Sequence, residues 1–291
     1  MSWAIVADSS CNLRDYKPQA PDTTYCFAPL KINIAGVEYA DDAQLDVDEL
    51  NRKVAEETSA SSSACPSVGE WSDLFRSADN VIAITISANL SGSYEAACMA
   101  QQLVEEEGGH RIYVLNSRAA GGKLELLVEL LDRYLTKNPT FDEAVAYIQS
   151  IEQNSTVLFS LSSYENLTKS GRMPKMAGMI ASKLNIRILG IASDEGTIKI
   201  LGPTRGQKKM LTKVIQSMRE NGYTGGIVYI DHVDNEKDAE ELAQRIKEQW
   251  PTAQPRVIPC GGLCSYYAER DGLIIGFAWP TEEDRYFTIE E

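Results

Sequence analysis

Serine is the residue type best placed to do chemistry in this chain, and it gathers with glycine at a few turns. Ser87-Ala88-Asn89-Leu90-Ser91-Gly92-Ser93 follows an apolar run and precedes Tyr94, Ala97 and Cys98, which recur at helical spacing. Ser91 is placed to cap that helix, whose first N–H groups lack partners and whose dipole end is positive. Gly92 lets an outside group approach the backbone. Such a turn suits a bound anion. The plainer reading is that Ser91 caps its own helix and Ser93 faces water. A second polar turn, Asp8-Ser9-Ser10, ends the short apolar run Trp3 to Ala7. In open α/β sheets ligands gather beyond the carboxyl ends of strands, although Asp and Ser serve as well to bond N–H groups within a turn. A third cluster, Ser61-Ser62-Ser63, stands before Pro66 and the capping-box spacing Ser67-x-x-Glu70. Its hydroxyls either face the same crevice or belong to a flexible loop. Ser91, Gly92 and Ser93, with Asp8, Ser9 and Ser10, are therefore the candidate ligand residues, and the Ser61-Ser62-Ser63 run joins them only with outside support.

These turns need strands and helices to hold them. Val81 to Ile86 is apolar and β-branched, as befits a strand covered on both faces. Strand and helix signals then alternate through Arg111 to Leu115, Lys123 to Tyr134 and Ala144 to Ile151, which predicts a mostly parallel sheet with helices on both faces. Leu30 to Ala35 and Val37 to Ala40 flank Gly36 as a hairpin or bulged edge, and a polar helix follows over Asp46 to Glu57. After about residue 155 the texture changes. A strand at Val157 to Leu161 leads into a short helix from Tyr164 that ends in a basic loop at Arg172. Ile186 to Ile191 and Thr197 to Leu201 read as an antiparallel hairpin around Asp194-Glu195-Gly196. Helices at 206–220 and 236–250 with strands at 226–230 and 272–278 complete an α+β unit. The expectation is an α/β protein of two domains, 1–155 and 156–291, with a ligand cleft between them.

Composition narrows the function classes. A chain of 291 residues with 43% hydrophobic residues can bury a substantial core, and no apolar run is long enough to span a bilayer. The net charge of -14 repels polyanions, so nucleic acid and anionic membrane surfaces are poor partners. Against that charge Arg172, Arg205, Lys208 and Lys209 stand out. No secretory signal opens the chain, and the cytoplasm is the expected compartment. The six cysteines are scattered, Cys260 and Cys264 form only a CxxxC, and two histidines do not complete a zinc set. Neither a metal nor a cofactor is expected.

Taken together, Val6-Ala-Asp8-Ser9-Ser10-Cys-Asn-Leu13, Ser63-Ala-Cys-Pro66-Ser67-Val-Gly-Glu70, Ile86-Ser87 through Ser91-Gly92-Ser93-Tyr-Glu-Ala-Ala, Asn116-Ser117 and Leu167-Thr-Lys-Ser-Gly171-Arg172 resemble successive signatures of the DegV family. The Asp-Glu-Gly hairpin followed by Arg205-Gly-Gln-Lys208-Lys209 continues the match, which covers nearly the whole chain in order. The resemblance implies two α/β domains with a long-chain fatty acid between them. It also implies a protein that presents the acyl carboxylate to a separate fatty acid kinase for acyl phosphate formation. It places Ser63 and Ser91-Gly92-Ser93 on the carboxylate and Arg172 near the pocket mouth, where it meets phosphate or the kinase. The chain departs from the family at Tyr267-Ala-Glu-Arg-Asp-Gly272, where a histidine-bearing His-x-Gly-Pro-Gly stretch is usual.

The chemistry agrees with presentation. A fatty acid needs an apolar tunnel and converging donors, because an unpaired buried carboxylate is strongly penalised. Neutral hydroxyls and N–H groups supply donors while competing for the carboxylate lone pairs less than a bidentate arginine does. Two alternatives stay open: an enzyme in its own right, as a serine hydrolase or phosphotransferase, and a binding module for another acidic amphiphile. The chain has no G-x-S-x-G elbow and no G-x-x-x-x-G-K-[ST] loop, and His110 and His232 have no evident serine partner.

Overall fold

Four parallel strands, β1 (Trp3–Asp8), β2 (Thr23–Ala28), β6 (Asn80–Thr85) and β7 (Arg111–Asn116), form the first sheet in the order β2-β1-β6-β7. The computed structural model describes residues 1–56, 61–173 and 186–280; Glu57 of the expected polar helix and positions 281–291 of the expected second domain lie outside the described residues. Both faces of this sheet are covered, which is why β1 and β6 are buried along their whole length. The period of two sorts their side chains. Ala4, Val6, Val81 and Ala83 meet α2 (Val68–Phe75) and α3 (Ser93–Glu107) on one face. Trp3, Ile5, Ile82 and Ile84 meet α4 (Gly122–Leu135) and α5 (Phe141–Gln153) on the other. The capping box at Ser67 forms as expected, with the Ser67 hydroxyl accepting from the Glu70 N–H and the Glu70 carboxylate accepting from the Ser67 N–H.

A second sheet of six strands runs β10-β9-β8-β13-β11-β12. Its members are β8 (Ser155–Leu161), β9 (Ile186–Ala192), β10 (Ile198–Arg205), β11 (Gly226–His232), β12 (Ala253–Pro259) and β13 (Leu273–Ala278). Every pairing is antiparallel except β11 with β12. Leu158, Leu189, Leu273 and Ile275 turn to the helices α7 (Gln207–Glu220) and α8 (Glu236–Gln249). Val157, Phe159, Leu161 and Ile274 turn the other way, toward the first sheet. Helix α4 lies between the two sheets, so close to β13 that a Cβ added at Gly276 would stand 2.0 Å from the carbonyl carbon of Gly122.

The third sheet is small and antiparallel: β4 (Val37–Ala40), β3 (Lys31–Ile34) and β5 (Ser62–Ala64). Ala35 and Gly36 take positive φ of 52° and 81°, so the expected hairpin turns where only a left-handed pair can turn it. Ser62 to Ala64 differs from the loop expected there. Those residues have no apolar signal of their own and become a strand by pairing with β3, Ser63 opposite Ile32. The sheet rests on α1 (Val47–Glu56) and α9 (Gly262–Ala268) through Ile32, Leu50, Leu263 and Tyr266. Between β8 and β9 lies α6 (Glu165–Lys169). No helix among the described residues is long and apolar enough to cross a membrane.

Candidate functional site

Strand β1 pairs with β2 on one side and β6 on the other, so the connections leaving β1 and β6 diverge and open a crevice at their carboxyl ends. Asp8 sits there, fully buried. Its carboxylate accepts from the Ser10 hydroxyl (2.5 Å), the Ser93 hydroxyl (2.7 Å), the Ile86 N–H (2.8 Å) and the Ser10 N–H (3.2 Å). Burial pushes this carboxyl above its ordinary range, while those four donors pull it back. Ser9 is occupied in the same way: its hydroxyl accepts from the Leu30 N–H at 2.9 Å. Asp8 and Ser9 thus join the end of β1 to the turn before α3 and to the entry of β3. Ser93 is buried and turned onto Asp8 rather than facing water.

Ser91 is not the cap expected from sequence. Helix α3 begins at Ser93 with Gly92 in the capping position, and no side chain caps it. Residues 87–91 first close a turn of their own, the N–H groups of Leu90 and Ser91 both donating to the Ser87 carbonyl, which carries Ser91 one residue short of the helix. Its hydroxyl still accepts from the Ser93 N–H at 3.3 Å, and it lines a cavity.

That cavity lies between the crevice and the inner face of the six-stranded sheet. Counting what opens to solvent, it holds about 830 Å³ of empty space. Its walls are overwhelmingly apolar: Val157, Phe159, Leu161 and Ile274 from the six-stranded sheet, Ile86, Leu90, Ala119 and Ala120 from the first sheet's turns, and Leu263 and Ala268 from α9. The polar side chains of the lining are Ser63, Ser91, Arg172 and Tyr267, with Arg118 and Thr197 beside the β9–β10 turn. At the Leu161 end the Ser63 hydroxyl is hydrogen-bonded to the Tyr267 hydroxyl at 2.8 Å, and Arg172 lies over the Tyr267 ring, 5.4 Å from its centre. Arg172 also donates to the carbonyls of Leu90 (3.0 Å) and Ser170 (3.2 Å), tying the end of α6 to the turn that bears Ser91. Ser63, Ser91, Arg172 and Tyr267 all line the cavity; Asp8, Ser9 and Ser93 stand behind its wall. Arg205, Lys208 and Lys209 belong elsewhere, Lys208 and Lys209 lining a shallow groove with Lys213 and Arg245.

At the Val157 end the β9–β10 turn reaches over to the first sheet. Asn89 donates to the Glu195 carbonyl (2.6 Å) and Arg118 to the Asp194 carbonyl (3.2 Å). Gly196, at φ 79°, presses so closely that a Cβ there would meet the Ser87 hydroxyl oxygen at 2.3 Å. Arg118 is held in turn by the Glu152 carboxylate, which also takes the buried Lys123 ammonium at 2.9 Å.

Tyr267 opens the stretch noted above as departing from the resembled family, but it was not singled out as a site residue because its helix has little signal of its own: α9 is a seven-residue segment opening on two glycines. Those glycines are what place it. A Cβ at Gly261 would strike the Arg14 guanidinium at 2.0 Å, and one at Gly262 would strike Leu45 at 2.4 Å. The space they leave lets the Asp41 carboxylate accept from the N–H groups of Gly262 (2.8 Å) and Leu263 (3.0 Å), with Arg14 bonded to it at 3.0 Å. Behind α9, Asn12 bridges two buried acids: its backbone N–H donates to Glu125, its side-chain amide donates to Asp231 (2.8 Å), and its carbonyl oxygen accepts from the Gly261 N–H (2.8 Å). Burial pushes Glu125 up to about 7 and Asp231 well above its ordinary range, each keeping one oxygen without a partner among the described residues. Burial also pushes up the thiols of Cys11, Cys260 and Cys264 around them.

The architecture has counterparts among known proteins. The family described as "Uncharacterised protein, DegV family" matches residues 2–278. A DegV domain-containing protein from Streptococcus gordonii is 38% identical over 278 residues, covering 95% of this chain and 99% of its own. Among solved structures, the Streptococcus pneumoniae fatty acid kinase (Fak) B3 protein loaded with linoleic acid superposes with a TM-score of 0.93 at 37% identity, over 96% of this chain and 100% of that one. A DegV family protein from Eubacterium eligens loaded with heptadecanoic acid gives a TM-score of 0.92 at 32% identity, again over 96% and 100%. A match along almost the entire sequence, carried on the same fold and on the serine turns that resemble the family's signatures, means that this chain belongs to the DegV family.

Proposed function

We propose that this protein holds a long-chain fatty acid in the cavity between its two large sheets and presents the carboxylate to a separate kinase for acyl phosphate formation. The observation that carries the reading is an almost wholly apolar cavity with the Ser63–Tyr267 hydroxyl pair and Arg172 gathered at one end. The relatives loaded with linoleic and heptadecanoic acid support it. Ser63, Ser91 and Tyr267 then receive the carboxylate, with Gly92 giving it room beside the start of α3 and Ser93 behind. Asp8 and Ser9 hold the turns in place, since an ionised Asp8 at the carboxylate itself would repel it. Hydroxyl donors leave the carboxylate oxygen nucleophilic toward an incoming phosphoryl group. The histidines argue against a serine hydrolase: the His110 ring is engaged with the Ala78 carbonyl (2.8 Å) and the His232 ring with the Asn235 N–H (3.4 Å), away from Ser63, Ser91 and Ser93.

Mass spectrometry of lipid extracted from the purified protein tests the reading. The expected result is a fatty acid at close to one per chain, or, from delipidated protein, saturable binding of added oleate. Repeated preparations that carry no acid and bind none would overturn it. The presenting role has its own test in Arg172→Ala with a kinase present. Acyl phosphate formation should fall about tenfold or more while fatty-acid affinity changes less than threefold, since the guanidinium acts on charge that develops at the phosphoryl group. Equal loss of both, or of neither, counts against presentation.

A further inference from the structure

The floor of the cavity has a row of three residues across three strands: Gly190 on β9, Phe159 on β8 and Ile274 on β13, paired in register. Phe159 and Ile274 line the cavity. Gly190 is where the row lacks a side chain, and its backbone lies outside the left-handed region, so glycine is not needed there for conformation. It is needed for space. A Cβ at residue 190 would stand 2.1 Å from Cε2 and 2.2 Å from Cζ of Phe159, so the ring lies down over the glycine instead of standing into the cavity. The ring is fenced on its remaining sides, by Ile274 across the sheet and by Val157 and Leu161 two residues before and after it on β8. A displaced ring has one direction left, upward into the space an acyl chain would fill.

We infer that Gly190 and Phe159 act together as the specificity determinant of the site, the glycine setting how far the ring retracts and the ring setting the length and curvature of acyl chain accepted. The inference rests on the fatty-acid reading given above and adds to it which chains fit. A small residue beside a large one on a pleated floor lets the cavity deepen without breaking the sheet, because both keep their ladder pairing. Ala192, next on the same face of β9, continues the shallow side of the floor.

The test uses the delipidated full chain, titrated with laurate, palmitate, stearate, arachidate and oleate. In Gly190→Ala the ring is driven up, so stearate and arachidate should weaken about fourfold for each methylene excluded while laurate is little changed. Phe159→Leu removes the ring and should shift the preference toward the longer or more bent acids. In the double variant alanine has no ring to push, so the preference should follow Phe159→Leu rather than Gly190→Ala. Should Gly190→Ala fail to fold, Phe159→Trp raises the floor without touching β9 and should reproduce the loss of long chains. The inference is overturned if the unmodified chain binds the acids and the variants keep its order of preference. If the unmodified chain takes none of them, the fatty-acid reading falls first, and the same titration shows that before any variant is made.

Discussion

Removing the Ser93 hydroxyl deprives Asp8 of one of its four donors at a site with no exposure to water. A buried acceptor left short of a partner costs about 1–3 kcal/mol, so Ser93→Ala should lower the urea midpoint of the ligand-free protein at unchanged m-value. An unmoved midpoint would mean that Asp8 takes up a proton or turns to another donor at no cost. The Glu125 and Asp231 pair makes a prediction about pH. Burial holds the folded Glu125 carboxyl at about 7, above its ordinary 4.5, so between those values the folded state binds the extra proton. Stability from this group is therefore fully present below about pH 4.5 and declines as pH rises toward 7, and Asp231, raised by the same burial, contributes a decline of the same sign. Glu125→Gln keeps the shape and removes the titration. Thermal melts of the variant against the parent, across that window, should show the variant gaining as pH rises; parallel curves would show that the pair does not titrate as burial demands.

Among the elements, α4 decides how the two sheets meet. It is buried nearly all round, with Lys123, Glu125, Glu129 and Asp132 each paired inside the protein, and its first turn touches β13 backbone to backbone. Gly276→Ala should cost at least about 3 kcal/mol, because the obstacle is main chain that cannot swing aside. A chemical-denaturation midpoint within error of the parent would show instead that helix and strand can separate freely. Such a contact could not be read in the sequence, where Gly122 and Gly276 lie in unrelated segments and the acids of α4 resemble those of a surface helix. The same contrast holds elsewhere. Strands β1, β6 and β8 were legible because continuous apolar residues announce a strand buried on both faces. Strand β2 was missed, its half-buried side chains alternating too weakly, and β12 was missed because Pro255 and Pro259 speak against a strand that only an edge position tolerates. The hydroxyls of Ser63 and Ser91 stood out in the sequence, Ser91 at a turn and Ser63 on a segment that proves to be a strand; the place of Tyr267 did not, since it depends on the Asp41 carboxylate and two glycines reached through a distant loop.

At the scale of the whole molecule, the cavity is continuous with the principal core. Val157, Phe159, Leu161, Ala119 and Ile274 belong to both, and that core also contains side chains from β1, β6, α4 and α5. A ligand bound there should raise the melting temperature of the whole chain as one unit. At a free concentration a hundred times Kd the gain is about 2.7 kcal/mol, enough for several degrees in a protein of this size. Calorimetry of delipidated protein with and without oleate checks it: one transition moving upward is expected, and a ligand that sharpens or shifts only part of the melt would mean that the two sheets unfold separately.

The sharing of residues between cavity wall and core also bears on how such a chain can change over evolutionary time. On the fatty-acid reading proposed above, a substitution at Phe159, Val157 or Ile274 alters the ligand's room and the interior packing in the same step, so a change of acyl chain made through these residues also perturbs the fold. Relatives with different lipid preferences should then differ in pairs, a change on the cavity floor accompanied by a compensating one on the buried rows of β8, β9 and β13, and drift at the exposed turns should leave lipid choice untouched.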